Sequence, residues 1–240
     1  MRAARVVKPL VLTAHGSVDP RSAAVTHAVA GRIRRLRPWL DVRPAFLERT
    51  SPSLADVLAD TTEAVVVPFL LAGAYHARVD IPTVIKESGS RVECADVLGE
   101  DPALLAVMRH RLAEAGVSPD DRGLGVVTVA VGSSRPDANA RTATVATALA
   151  AGTRWAGAEM AFATGPYANL AETAAALRER GADRLVIAPW FLAPGKITDR
   201  VSDFAAQQGI PMSQPLGSHN LVAATVLDRF DAVFAGSIAA

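Results

Sequence analysis

The chain has 240 residues, half of them hydrophobic, a formal net charge of +1 and one cysteine, Cys94. That length can bury one large core or two smaller ones. A charge so near zero provides no global attraction for nucleic acid or an acidic membrane, and one cysteine makes neither an internal disulfide nor a Cys-paired zinc site, which fits a reducing cytoplasm.

The basic start, Met1 to Lys8, leads into the apolar run Leu10 to Ala14, which ends at His15. The run is too short for a signal-peptide core and reads as a first strand. No later stretch reaches the roughly 20 apolar residues of a membrane span. Asp19-Pro20 then places an N-cap residue before proline at the first helical position, and a helix is expected toward Arg37. Val42 to Leu47 reads as the second strand, and Ser51-Pro52 as the start of a short helix through Leu54 and Leu58. Ala64 to Leu71 and Val92 to Ala95 follow as strands, the latter carrying Cys94 as an expected buried residue, and Asp101-Pro102 opens a helix over Ala103 to Glu114. A polar, turn-prone stretch, Gly116 to Gly123, marks a boundary. Beyond it come Val126 to Val131, Ala158 to Phe162 and Leu185 to Ala188, with a weaker eighth run at Pro211 to Leu216. Strands with little alternation, separated by helices, predict parallel sheets covered on both faces, an α/β architecture.

A shift of 116 positions lays the chain on itself without a gap from residue 15 to 55. His15-Gly16-Ser17 falls on Val131-Gly132-Ser133, Ala45-Phe46 on Ala161-Phe162, and Leu54-Ala55 on Leu170-Ala171. Further on, Val67 to Ala72 matches Ala188 to Ala193. A period this long means duplicated domains rather than a solenoid. The expected arrangement is two tandem three-layer αβα domains, 1–117 and 124–240, each with a four-stranded, mainly parallel sheet.

The halves differ where chemistry is at stake. His15 aligns with Val131, Glu48 with Thr164, and His76 falls near Lys196. If the three were only polar fillers, both halves would have similar reason to keep them. All follow strands, and parallel sheets bind ligands beyond the carboxyl ends of their strands. Two imidazoles and a carboxylate suit Fe²⁺, Co²⁺, Ni²⁺ or Zn²⁺, and three protein ligands leave coordination positions open. A neutral imidazole also accepts a proton near neutral pH. The other histidines, His27, His110 and His219, fall in or near helices and are expected to be structural or exposed.

Thr13-Ala14-His15-Gly16-Ser17 with Asp19-Pro20-Arg21, then Phe46-Leu47-Glu48 with Ser51-Pro52-Ser53-Leu54, then Pro68 to Gly73 with His76 and Asp80-Ile81-Pro82, resemble the three motifs of the class II chelatases of the CbiX/SirB type. The resemblance covers nearly the whole chain, in the two-domain form. It implies two chelatase-like domains with a tetrapyrrole in the cleft between them. It also implies an ATP-independent lyase that inserts Fe²⁺ or Co²⁺, with Ni²⁺ a further candidate, into sirohydrochlorin for sirohaem or cobalamin. The metal is then substrate, and no permanently bound cofactor is expected. The metal-handling positions carry over to His15, Glu48 and His76; the second half departs at all three, leaving one reaction centre. The carboxylates of the substrate call for cations or backbone amides at the rim. Candidates are Arg21 and Arg78 in the first half and Arg135, Lys196 and Arg200 in the second, with the amides of Gly16-Ser17 and Gly132-Ser133 at helix starts. A chain that carries both lobes is expected to work as a monomer, with no nucleic-acid or membrane partner.

Two other readings use the same scaffold: a non-catalytic tetrapyrrole or metal carrier, and a two-lobed solute-binding module, which the missing signal peptide argues against. A nucleotide enzyme is disfavoured because neither G-x-x-x-x-G-K-[ST] nor G-x-G-x-x-G occurs.

Overall fold

Parallel strand pairing organises both halves of the chain. The structure, a computed structural model, describes residues 8–73, 76–165, 167 and 169–236, with His76 and Gly236 described by their backbone alone. The first sheet contains β1 (Leu10–Ala14), β2 (Val42–Phe46), β3 (Glu63–Pro68) and β4 (Arg91–Cys94), in the order β2-β1-β3-β4 with every pair parallel. The second contains β5 (Leu124–Ala130), β6 (Gly157–Phe162) and β7 (Arg184–Pro189), in the order β6-β5-β7. The expected eighth strand is reduced to an isolated bridge, Ile187 to Met212. Ile187 N–H donates to Pro211 O at 2.8 Å and Ser213 N–H to Ile187 O at 2.9 Å, but Pro211 and Pro215 have no N–H with which to extend the ladder.

The helices start where the chain offers caps. In α1 (Pro20–Leu36) the Asp19 side chain accepts from Arg21 N–H at 3.0 Å, with Pro20 in the first turn. The short α2 (Leu54–Ala59) is capped by Ser53 rather than at Ser51-Pro52, because Ser53 and Asp56 form a reciprocal capping box. Then come α3 (Ile81–Ser88), α4 (Pro102–Glu114), α5 (Pro136–Ala150), α6 (Leu170–Glu179), α7 (Lys196–Gln208) and α8 (Asn220–Gly236). Among the described residues no helix is long and apolar enough to cross a membrane.

In the first unit, Val11, Ala45, Ala64 and Val66 meet Leu54, Leu58 and Ile81 of α2 and α3 on one face of the sheet. α1 and α8 pack together on the other side, α1 against β1 and β2 and α8 against β3. In the second unit, α6 and α7 cover one face through Leu177, Val201 and Ala205, while α5 lies on β5 and β6 and α4 on β7. The layers are therefore those expected from the sequence. Cys94, expected to be buried, lies exposed on β4, the edge strand of its sheet.

The compact units do not follow the repeat boundary. One unit runs to Gly99 and takes back the chain from Asn220; the other is Glu100–His219. Thus α4, which comes after the fourth strand of the first repeat, joins the second unit, and α8 joins the first. An arginine on each exchanged helix holds the loop it meets. On α8, Arg229 donates to the carbonyls of Val97 at 3.0 Å and Leu98 at 2.8 Å, and on α4, Arg111 donates to Leu216 O at 3.3 Å. Phe230 of α8 is 3% exposed, and emptying such a site costs about 3–5 kcal/mol. Phe230→Ala is therefore expected to lower hydrogen-exchange protection in β1 to β3 before β5 to β7. Equal losses in both sheets would contradict this assignment of α8.

Candidate metal centre

Ala14 and Phe46 are register partners at the carboxyl ends of β1 and β2. Backbone bonding continues past both strands: Leu47 N–H donates to Ala14 O and Glu48 N–H to His15 O, each at 3.0 Å. Two residues widely separated in sequence are thereby fixed side by side. His15 Nε2 lies 3.3 Å from Glu48 Oε1, with the two side chains 43% and 45% exposed.

Gly16 makes this approach possible. Its φ is +90°, and a Cβ at that position would stand 1.8 Å from Glu48 O. The left-handed backbone and the missing side chain are both required. Behind it the loops are tied reciprocally: Ser17 N–H donates to Thr50 Oγ1 at 3.1 Å, and Thr50 Oγ1 donates to Ser17 O at 2.9 Å.

The donor spacing suits a metal ion. With ligand bonds of about 2.1 Å, two donors 3.3 Å apart subtend roughly 104° at a shared ion, close to tetrahedral. Imidazole nitrogen and carboxylate oxygen form a borderline donor pair for divalent iron, cobalt or nickel. Among the described residues no group of three or more His, Cys, Asp or Glu side chains gathers to hold an ion. The third expected donor, His76, opens a single π-helical turn, His76–Asp80, in the loop after β3, and its side chain lies outside the described residues.

The second unit repeats the backbone and drops the chemistry. Thr164 N–H donates to Val131 O at 2.9 Å, the counterpart of the bond between Glu48 and His15. Gly132 has φ +94°, and its Cβ would lie 2.6 Å from Thr164 O. Val131 and Thr164, however, replace the donor pair, and Thr164 Oγ1 donates back to Val131 O at 2.7 Å. An open pocket of this unit lies at the opposite ends of the strands, beside Leu124, Arg184 and Leu185.

The rim candidates are exposed, and three of them are already hydrogen-bonded. Arg21 is exposed and bonded to the Asp19 carboxylate, with Nε 3.0 Å from Oδ1. Arg78 is exposed on the π-helical turn and donates from Nε to Gly73 O at 2.8 Å. Arg135 is paired with Asp137 at 2.9 Å, and Lys196 and Arg200 are exposed in the first turns of α7. Of the amides expected to meet carboxylates, the two serine N–H groups are already engaged, Ser17 by Thr50 and Ser133 by Asn139 Oδ1 at 2.8 Å, so a ligand at either serine would have to displace those side chains. Of the remaining histidines, His27 packs its ring 5.8 Å from that of Phe46, and His110 lies 3.2 Å from Glu114.

The junction holds one charged residue that no sequence motif points to. Arg49, at φ 59°, donates from Nε to Glu48 Oε1 at 3.1 Å, the same oxygen that faces His15.

A family model described as CbiX matches residues 9–115 and 125–233. A protein of Priestia megaterium named sirohydrochlorin cobaltochelatase is 24% identical over 219 residues, covering 84% of this chain and 69% of that one. The structure of SirB from Bacillus subtilis with Fe³⁺ superposes with a TM-score of 0.83 at 22% identity, covering 98% of each chain. That of the sirohydrochlorin chelatase SirB from Bacillus subtilis subspecies spizizenii in complex with cobalt gives 0.75 at 20% identity, covering 95% of each.

Proposed function

The chain belongs to the CbiX family, and from that premise we propose that it is a chelatase inserting Fe²⁺ or Co²⁺ into sirohydrochlorin. The observation that carries the proposal is the pair His15 Nε2 and Glu48 Oε1, 3.3 Å apart at the mouth of the first sheet. The relative named sirohydrochlorin cobaltochelatase supports the substrate, and the SirB structures bearing iron and cobalt support the choice of metals.

Insertion exchanges one dication for two protons on the ring nitrogens. The incoming ion sheds water as His15 and Glu48 take coordination places, with His76 as the proposed third ligand. Half-exposed donors let the ion enter from solvent, and positions not filled by protein stay open to the ring. As metal–nitrogen bonds form, the ion leaves Nε2 and Oε1, whose lone pairs then stand beside the protons to be removed. The same groups can thus hand over the metal and accept the protons, a role suited to imidazole and carboxylate near neutral pH. The exchange balances in charge, one dication entering as two protons leave, and the proposed reaction draws on no ATP. Arg78 of the first unit is proposed for a substrate carboxylate, and Arg135 and Lys196 are proposed for others.

Anaerobic absorption spectroscopy with excess sirohydrochlorin and Co²⁺ or Fe²⁺ tests this reading. A chelatase forms many equivalents of metallated product per chain. A carrier on the same scaffold stops at one.

A further inference from the structure

Glu48 presents one oxygen to two partners. Oε1 lies 3.3 Å from His15 Nε2 and 3.1 Å from Arg49 Nε. Arg49 is the one non-glycine residue with positive φ among the described residues, and its side chain is 60% exposed. The duplicate shows what this backbone position otherwise carries. At the shift of 116, Arg49 falls on Gly165, which has φ +88°. Where no carboxylate needs a counter-ion, the left-handed position holds the residue that tolerates it without strain; beside Glu48 it holds a guanidinium.

We propose that Arg49 is a displaceable counter-ion that couples metal loading at Glu48 to docking of a substrate carboxylate. This rests on the reading of His15 and Glu48 as the metal site. A dication at Oε1 takes the lone pair that Arg49 uses and repels its positive charge, so the metal and the guanidinium compete for one oxygen. Once displaced, the guanidinium offers a forked donor to a carboxylate, and the tetrapyrrole rim supplies such groups. The linkage is reciprocal: a substrate carboxylate that draws Arg49 away from Glu48 also clears the metal's place. Arg49 therefore acts on the metal through Glu48, as a positioning residue.

The test is a Co²⁺ titration of the full chain without tetrapyrrole, at low and high salt, paired with the KM for sirohydrochlorin. The exposed pair between Glu48 and Arg49 is weak and screened by salt. Arg49→Gln is expected to bind Co²⁺ roughly two- to fivefold more tightly at low salt, with the gap closing as salt rises, and to raise KM by a similar factor. Arg49→Gly, which removes both charge and strain, should tighten Co²⁺ equally, while Arg49→Lys should stay near the wild type. Unchanged or weaker Co²⁺ binding in Arg49→Gln, or an unchanged KM, overturns the coupling. Glu48→Gln separates the two levels. If it weakens Co²⁺ while Arg49→Gln does not tighten it, the coupling alone fails; if Glu48→Gln leaves Co²⁺ binding intact, the metal-site reading fails and takes the coupling with it.

Discussion

His15→Ala and Glu48→Gln are each expected to lower the metal-insertion rate by roughly a hundredfold or more while leaving the fold intact. Each removes one of two side chains held 3.3 Å apart, and with it a lone pair that the proposed mechanism uses first for metal and then for a proton. Loss of a positioned acid or base typically costs about 10²- to 10⁴-fold. The folded chain has little to lose, because both side chains are nearly half exposed. Substitutions at such positions usually change stability by about 0.5 kcal/mol or less. Initial rates of metallation, measured beside thermal unfolding, separate the two quantities. Normal rates in either variant would remove that residue from the reaction centre, and collapse of the fold would show that the contact is structural. His76→Ala is expected to give the same pattern.

Gly16→Ala is expected to abolish insertion as completely as His15→Ala, but by another route. The added Cβ would lie 1.8 Å from Glu48 O, at a backbone φ of +90°. That oxygen belongs to the main chain, so no side-chain rotation relieves the clash, and the two loops must separate. The bond from Glu48 N–H to His15 O, 3.0 Å long, is then lost, and the donor pair spreads. A β-carbon forced into a left-handed turn with a backbone overlap costs on the order of 2–4 kcal/mol. The duplicate provides an internal control. Gly132→Ala meets Thr164 O at 2.6 Å, a milder backbone intrusion of the same kind at the junction that lacks the His and Glu pair. It should lower stability while the chain, where folded, still inserts metal. Chemical denaturation and metallation rates of both variants decide the matter: equal activity losses would mean that the second junction also serves the reaction.

Much of this junction is legible in the sequence alone. Apolar runs ending at Ala14 and Phe46 read as strands, and parallel pairing brings the loops after them to one edge of the sheet. Alignment of His15 with Val131 and of Glu48 with Thr164 separates chemistry from scaffold, because the scaffold repeats and the donors do not. Other features have no such signal. The exchange of α4 and α8 leaves the repeat unchanged in sequence, since each helix has the same pattern whichever sheet it covers. The weak eighth run is visible, but its reduction to one bridge by Pro211 and Pro215 depends on ladder geometry. Occupation of the Ser17 and Ser133 amides depends on Thr50 and Asn139, which carry no helix-start signature. Arg49 is the least visible, because arginine does not announce a left-handed backbone. The one hint is its alignment with Gly165, which gains meaning only beside the contact with Glu48.

The proposed metal site takes one ion per chain, where the loops after the first two strands meet. Equilibrium titration with Co²⁺, monitored by visible absorption and by metal analysis after gel filtration, measures this directly. One Co²⁺ per wild-type chain, and none retained by a chain carrying both His15→Ala and Glu48→Gln, is the predicted result. Undiminished Co²⁺ in the double variant would contradict it.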